Sequence, residues 1–428
     1  MELQELIQSS LDYIEDNLQT EITAAELAKM AHVSEFHYYR LFQKATGVPV
    51  MQYILRRRLL HGIYAMQQGS SKIDVALAYG FDTYAGFYRA FSREFGTTPS
   101  EFLKSCRVKR PYRINLKKEK HRMITHKKAS QILKNWNLEG ETITDIYYEG
   151  SGCKNESACY VGDRYVLKYT SELEKMTHHM AVSKALARAG LLAAEPVETV
   201  AGQLFAQEDE VYYYVTKRLP GSQLPKNWFT GEDAASHGRF LGEILGKLHL
   251  ALGQLDVAVS DTDLLSKICD WALPNARDAL GLTDQFCKDY VDTFRNLYPE
   301  LPRQIIHRDP NPGNIICAGD AWGFIDFDLT ERNVRIYDLC YAATAILSEN
   351  FETGKENWLG IYREIVGGYD GVAHLSAEEK RAIPYVLLAN QLVCVAWFAG
   401  QEKYAEIFQI NKEMTLWLLA RFEELKKI

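Results

Sequence analysis

Up to about residue 105 the apolar positions recur at helical spacing in short segments. Tyr38, Leu41, Phe42 and Ala45 share one face at i, i+3, i+4, i+7 spacing, and Phe87, Ala90, Phe91 and Phe95 form a second such face. Thr23 and Ser34 stand where N-caps are needed, with Glu26 three residues after Thr23 as in a capping box. A shift of 49 residues lays Tyr39-Arg40-x-Phe42 on Tyr88-Arg89-x-Phe91, Gly47 on Gly96 and Tyr53 on Phe102. One helix, turn, helix unit therefore occurs twice.

Beyond residue 140 the period shortens towards two. Residues 142–148, 158–169 and 211–217 are aromatic and β-branched and predict strands, 171–189 predicts a helix, and everything after Asp338 predicts helices to the end. The most apolar stretch, 383–400, is interrupted by Pro384, Asn390 and Gln391. It predicts a buried helix of a soluble core, and the N-terminus has no signal-peptide pattern, so no membrane partner is expected.

With 428 residues, 47% apolar, 12% aromatic and 25% charged, the chain can bury full-sized cores, which excludes disordered and fibrous classes. Charge is unevenly spread. Residues 1–128 carry 20 Lys+Arg against 13 Asp+Glu, and the rest carry 29 against 43, giving +7 and −14. A basic head suits a polyanion. Residues 104–128 hold 11 Lys+Arg against Glu119 alone, with Pro111 interrupting any helix, and read as a basic linker, either solvated or contacting phosphates. The eight Cys are scattered singly, which fits reduced thiols in cytoplasm and offers no zinc site.

Opposite the apolar face of the first repeat lie Phe36, Tyr39, Arg40 and Gln43, and opposite that of the second lie Tyr84, Tyr88, Arg89 and Ser92. Such groups suit base edges and phosphates. With the run GFDTYAGFYRAFSREFGTTPSEF at 80–102, about 100 residues resemble the AraC/XylS family of bacterial transcription regulators. The resemblance implies two helix-turn-helix units joined by a helix over about 51–67, entering successive major grooves of double-stranded DNA. Phe36, Tyr39 and Arg40, then Tyr84, Ala85, Tyr88 and Arg89, fall on its base-reading positions. Dimerisation suits a regulator, although both recognition helices already lie in one chain.

A second chemistry follows from Ile305-Ile306-His307-Arg308-Asp309-Pro310-Asn311-Pro312-Gly313-Asn314 and Gly323-Phe324-Ile325-Asp326-Phe327-Asp328. Phosphoryl transfer needs a carboxylate near the attacking hydroxyl and hard oxygen ligands for Mg²⁺. An Asp, an Asn five residues later and a further Asp after an apolar strand form the catalytic-loop and metal-loop arrangement of the protein-kinase-like fold. The glycine-rich Gly150-Ser151-Gly152, before a strand ending in Leu167-Lys168, can lay amides and an ammonium on phosphates.

Together with Arg218-Leu219-Pro220-Gly221 and the segment Leu241 to His249, residues of about 140–345 resemble the aminoglycoside phosphotransferase and choline kinase superfamily. The resemblance implies Asp309 as catalytic base, Asn314 and Asp326 as Mg²⁺ ligands, Lys168 as phosphate lysine and Asp338 as structural aspartate. Gly150, Ser151, Gly152 and Asn155 would cover the phosphates of ATP or GTP, and Val215, Lys217 and Leu219 the adenine-facing hinge. Two departures stand out. Arg308 replaces the usual Gly, although so little chain separates Asp326 from Asp338 that no protein-kinase activation segment fits. His179 falls where the superfamily often has a Glu to pair with the strand lysine, with Glu172 and Glu174 nearer the helix start. Asp328 is either a third ligand or a loop cap.

The expected fold is multidomain: an all-α DNA-binding domain over 1–105, a basic linker over 106–128, and an α+β bilobal kinase-like domain with its N-lobe over 129–220 and C-lobe over 221–428. The expected function is a cytoplasmic regulator fused to an ATP- or GTP-dependent phosphotransferase for a small hydroxyl substrate. The acidic balance favours a cationic amino or quaternary-ammonium alcohol, while Trp358, Tyr362, Tyr369, Trp397, Tyr404 and Trp417 read mostly as core. The alternative is a regulator whose inactive kinase-like domain senses a nucleotide or metabolite.

Overall fold

The computed structural model describes residues 3–105, 108, 110–116, 124–147, 154–208, 210–319, 321–401 and 404–428. The chain divides into two units, 1–171 with 197–218, and 172–196 with 219–428.

The described residues of the first unit open with α1 (Leu3–Asp16), α2 (Ala24–Met30), α3 (Glu35–Thr46), α4 (Val50–Gln67), α5 (Lys72–Ala78), α6 (Tyr84–Phe95) and α7 (Pro99–Ser105). The internal repeat is visible in the caps. Thr23, Ser34, Ser71 and Thr83 each accept a backbone N–H at the start of α2, α3, α5 and α6. Both 12-residue helices end at a glycine in the left-handed region, Gly47 at φ 85° and Gly96 at φ 69°, where a Cβ would be strained. The Glu26 carboxylate, expected to close a capping box, accepts the Tyr13 hydroxyl at 2.7 Å. Each repeat has its own core, Leu27, Tyr38, Phe42 and Tyr53 in one and Ile63, Phe87, Phe91 and Phe102 in the other, with α4 contributing to both.

Two features tie this domain together. Arg57 of α4 donates to the buried Glu15 of α1 and to the Tyr112 carbonyl at 2.7 Å. Within the stretch read as a basic linker, Val108, Ile114 and Leu116 are buried in the two cores, and Gln67 and Gln8 exchange hydrogen bonds with the backbones of Val108, Ile114 and Leu116. Burial raises the Glu15 carboxyl, but hydrogen bonds from His61 and Arg57 hold it below its ordinary 4.5. A lowered folded-state value means stability that is complete above the ordinary value and lost as pH falls below it. Acid titration of unfolding should therefore show a loss below about pH 4.5 that is reduced in Glu15→Gln.

The rest of this unit holds α8 (His126–Leu133) and a sheet that starts with β1 (Ile143–Tyr147), β2 (Lys154–Val161) and β3 (Tyr165–Thr170) and is completed by strands from 197–218. The run 158–169, read as one strand, is two antiparallel strands, because Gly162 turns the chain at φ 55° and pairs Val161 with Tyr165.

The second unit begins with α9 (Leu173–Arg188) and β4 (Leu192–Ala193); after β5 (Pro196–Val197) the chain returns to the first unit, where β6 (Ala206–Glu208) and β7 (Val211–Lys217) complete the first sheet, in the order β1-β2-β3-β7-β5 with β6 also on β7. Farther on come β8 (Ser222–Gln223), α10 (Ala234–Leu252), β9 (Ser260–Asp261), α11 (Leu264–Lys267), a π-helical turn Ile268–Ala272, α12 (Leu273–Leu280), α13 (Asp284–Leu297) and β10 (Arg303–Ile306). Two small sheets, β10-β13-β9 and β4-β12-β11-β8, use β11 (Ile315–Ala318), β12 (Ala321–Phe324) and β13 (Glu331–Val334). The chain ends in α14 (Ile336–Glu349), α15 (Phe351–Ala373), α16 (Ala377–Phe398), α17 (Ala405–Ala420) and α18 (Phe422–Leu425). Gly242 lets α10 and α15 touch, since a Cβ there would stand 2.0 Å from the Ile365 carbonyl oxygen. Among the described residues α16 alone is long and apolar enough to cross a membrane, and 72% of its most apolar window is buried in the core. Trp358, Tyr362 and Tyr369 are core residues, whereas Trp397 is 57% exposed.

Candidate active site and DNA-reading face

In the helical domain α3 and α6 bury Tyr38, Phe42, Phe87 and Phe91, so helical periodicity turns the intervening residues outward. Phe36 is 75% exposed, Arg40, Ala85, Tyr88 and Arg89 are exposed, and Tyr39 and Tyr84 are half-buried. All seven residues expected to read DNA lie on the two repeated helices.

In the sheet of the same unit, Leu167, Tyr169, Tyr213 and Val215 point into one core. Alternation along a strand therefore carries Lys168 on the opposite face. Val215 is fully buried, so only its backbone is free to face a ligand, while Lys217 is exposed. Asn155 accepts from the Ser157 amide and hydroxyl, both at 2.9 Å. Gly150, Ser151 and Gly152 lie outside the described residues.

The second unit assembles the remaining groups. The loop after β10 is pinned from beneath by Asp338, whose carboxylate is fully buried at the start of α14 and accepts the backbone N–H groups of His307 at 2.7 Å and Arg308 at 2.8 Å. His249 of α10 lies 3.0 Å from the same carboxylate through Nε2 and 2.7 Å from the Tyr369 hydroxyl through Nδ1. His307 faces the Ile325 carbonyl through Nε2 at 2.9 Å and accepts the Asp309 amide at Nδ1. These partners assign it the neutral tautomer with hydrogen on Nε2. His307 thus splints the loop to the segment that carries Asp326.

Asp309 projects from that loop with its carboxylate held by the Asn311 amide at 2.8 Å and the Asn314 amide at 3.2 Å. Asn314 Nδ2 also donates to the Asp309 carbonyl at 2.9 Å, which turns its Oδ1 away as an oxygen donor. Burial pushes the Asp309 carboxyl up, hydrogen bonds from Asn311 and Tyr341 oppose this, and the neighbouring Asp326 charge adds to it. Asp326 sits in the left-handed region at φ 69°, a strained backbone for a non-glycine residue of the kind that collects at functional sites. The His179 and Asp328 side chains approach to 3.1 Å, and with Asp326 they form a set whose donor atoms all lie within 4.8 Å. Asp328 therefore faces the metal loop. The expected metal ligands Asn314 and Asp326 and the expected base Asp309 come from one loop pair. Leu219 starts the unit's second segment and is buried.

Sequence reasoning did not foresee the His179 and Asp328 contact, the positive φ of Arg308 (71°), or the place of Lys267 at the start of the π-helical turn. The signals available were Arg in place of Gly at position 308 and His in place of the usual Glu at position 179.

Residues 27–105 match the family described as helix-turn-helix domain, and residues 150–375 match the phosphotransferase enzyme family. An uncharacterized HTH-type transcriptional regulator of Bacillus subtilis is 30% identical over 103 residues, 24% of this chain, which spans 35% of that relative's length. The probable transcription factor PqrA of Proteus vulgaris is 33% identical over 100 residues, 23% of this chain and 82% of that protein. The homoserine kinase of Neisseria meningitidis is 28% identical over 247 residues, 56% of this chain and 75% of that enzyme. Among solved structures, an amicoumacin kinase in complex with AMP-PNP, Ca²⁺ and Ami superposes with a TM-score of 0.52 at 14% identity, covering 67% of this chain and 92% of that one. These neighbours share the kinase-like fold.

Proposed function

Since the chain belongs to the phosphotransferase enzyme family and carries an AraC-type helix-turn-helix domain, we propose that it is a cytoplasmic DNA-binding transcription regulator joined to a kinase that phosphorylates a hydroxyl of a small molecule. The observation that carries the enzymatic half is the loop pinned by Asp338, which presents Asp309 beside Asn314 and next to the strained Asp326.

The reaction asks little covalent chemistry of the protein. The acceptor oxygen forms a new bond to the γ-phosphorus, the bond from that phosphorus to the bridging oxygen breaks, and the acceptor's proton passes to Asp309. Asn311 and Asn314 orient the carboxylate, and burial raises its basicity towards that task. The oxygen donors of Asn314 and Asp326, with Asp328 beside them, fit Mg²⁺, which when bound neutralises charge on the phosphates. Lys168, Gly150, Ser151, Gly152, Asn155, Val215, Lys217 and Leu219 are assigned to ATP or GTP. The homoserine kinase relative supports a small amino alcohol or hydroxy amino acid as acceptor.

Thermal unfolding with Mg·ATP and with Mg·GTP tests this. A nucleotide at 100 times its Kd adds about 2.7 kcal/mol to the unit that binds it, and the gain should need Mg²⁺ and vanish in Asp326→Ala. No shift with either nucleotide overturns the reading. A sensor without catalysis is the second reading, favoured by His179, which stands where the superfamily often has a glutamate and contacts Asp328. Nucleotide binding with no turnover over a panel of alcohols selects it.

For the DNA-reading half, Arg40→Ala and Arg89→Ala should each weaken specific binding by about 1–3 kcal/mol if they read bases. The check is a titration of selected operator DNA at two salt concentrations; a homodimer would appear there as a doubled stoichiometry.

A further inference from the structure

His179 lies within α9 where the superfamily often has a glutamate, yet its side chain turns towards the metal loop. The imidazole is 1% exposed, and its Nδ1 stands 3.1 Å from an Asp328 carboxylate oxygen. Phe327, between the two aspartates in sequence, is fully buried, and its ring packs against the imidazole with centroids 6.2 Å apart. Helix and ring together fix the direction of the imidazole, so close packing holds the contact.

Asp326 completes the set. One donor atom from each of His179, Asp326 and Asp328 lies within 4.8 Å of the other two. Donors bound side by side to one ion at about 2.0–2.2 Å stand about 3.0–3.4 Å apart. The 3.1 Å between His179 and Asp328 falls in that range. A hydrogen bond between these two would account for their own contact, whereas a bound ion accounts for the convergence of all three. Two neighbouring carboxylates and a neutral imidazole carry two negative charges, which a dication offsets. Both carboxylates are half-buried, so an ion can enter from their side.

We propose that His179 is a metal ligand, which with Asp326 and Asp328 binds a first-row transition-metal dication such as Mn²⁺ or Zn²⁺. This rests on the phosphotransferase reading for the role of the metal at Asp326, but the nitrogen ligand itself is a matter of binding. Mg²⁺ takes oxygen ligands, usually one or two carboxylates together with phosphate oxygens and water. Imidazole nitrogen suits the softer first-row ions. A nitrogen donor at position 179 therefore changes which ion the site selects, while leaving in place the oxygen ligands that Mg²⁺ uses.

The experiment is pulsed electron paramagnetic resonance of Mn²⁺ added alone to the full chain, without nucleotide, because adenine nitrogens also couple to the ion. The spectrum should show a directly bound nitrogen whose coupling changes when histidine is labelled with heavy nitrogen. It should disappear in His179→Leu and in His179→Glu, the second of which restores the superfamily's residue. The excess of Mg²⁺ needed to displace Mn²⁺ should fall about ten-fold or more in both variants. No binding of Mn²⁺, bound Mn²⁺ without nitrogen coupling, or a coupling that survives in both variants overturns the proposal. The wild-type spectrum decides this even where a variant fails to fold. Nucleotide binding is followed separately by thermal unfolding. Nitrogen-coupled Mn²⁺ with no metal-dependent nucleotide shift leaves the ligand set standing and removes the kinase reading, and Mg-dependent nucleotide binding without nitrogen coupling does the reverse.

Discussion

Asp309→Asn should keep the Mg-dependent nucleotide shift and transfer phosphate about 10²–10⁴-fold more slowly, the contribution of a positioned general base. The isosteric amide fills the same space between Asn311 and Asn314 but accepts no proton from the attacking hydroxyl. Because burial raises the Asp309 carboxyl, the acid limb of kcat/KM should lie above the ordinary carboxylate value of 3.8. Protonation there removes the base, so activity falls as pH drops through that raised value. Initial rates across pH for the wild-type protein, with Asp309→Asn as the control, measure both effects. A variant as fast as the wild type would take Asp309 out of the chemistry.

The largest stability effect is expected at Asp338→Ala. Three donors converge on this buried carboxylate, the His307 and Arg308 amides and His249. Its removal leaves them unsatisfied in a place water does not reach, which costs about 3–5 kcal/mol. For a unit of this size that lowers Tm by about 10 °C. Asp338→Asn, which keeps one acceptor oxygen, should lose less. Calorimetry of the two variants checks the order, and an unchanged Tm in Asp338→Ala would remove the anchoring role.

The parts of the fold that rest on local chemistry were legible in the sequence. Ser34 and Gly47 bracket α3 as Thr83 and Gly96 bracket α6, because capping and left-handed glycine are properties of single residues. The spacing of Asp309, Asn314 and Asp326 likewise reports a loop pair whose geometry is fixed by chain length. What was hidden depends on distant partners. Val108, Ile114 and Leu116 are single apolar residues in a basic stretch, with no periodicity to show that two cores bury them. His179 and Asp328 are far apart in sequence, and nothing in either segment names the other. Gly162-Asp163-Arg164 form the turn inside the run 158–169, a local signal outweighed in the reading by the aromatic and β-branched residues on either side.

The buried residues after α7 bear on how the DNA-reading half can be separated from the rest. The matched helix-turn-helix segment ends at residue 105, yet Val108 fills the core of the second repeat and Ile114 and Leu116 that of the first. A fragment cut at 105 would lose three core side chains, the Tyr112 carbonyl that receives Arg57, and the partners of Gln8 and Gln67. At about 1.5–3 kcal/mol for each large apolar side chain, that omission rivals the whole stability of a small domain. A fragment reaching residue 116 retains both cores.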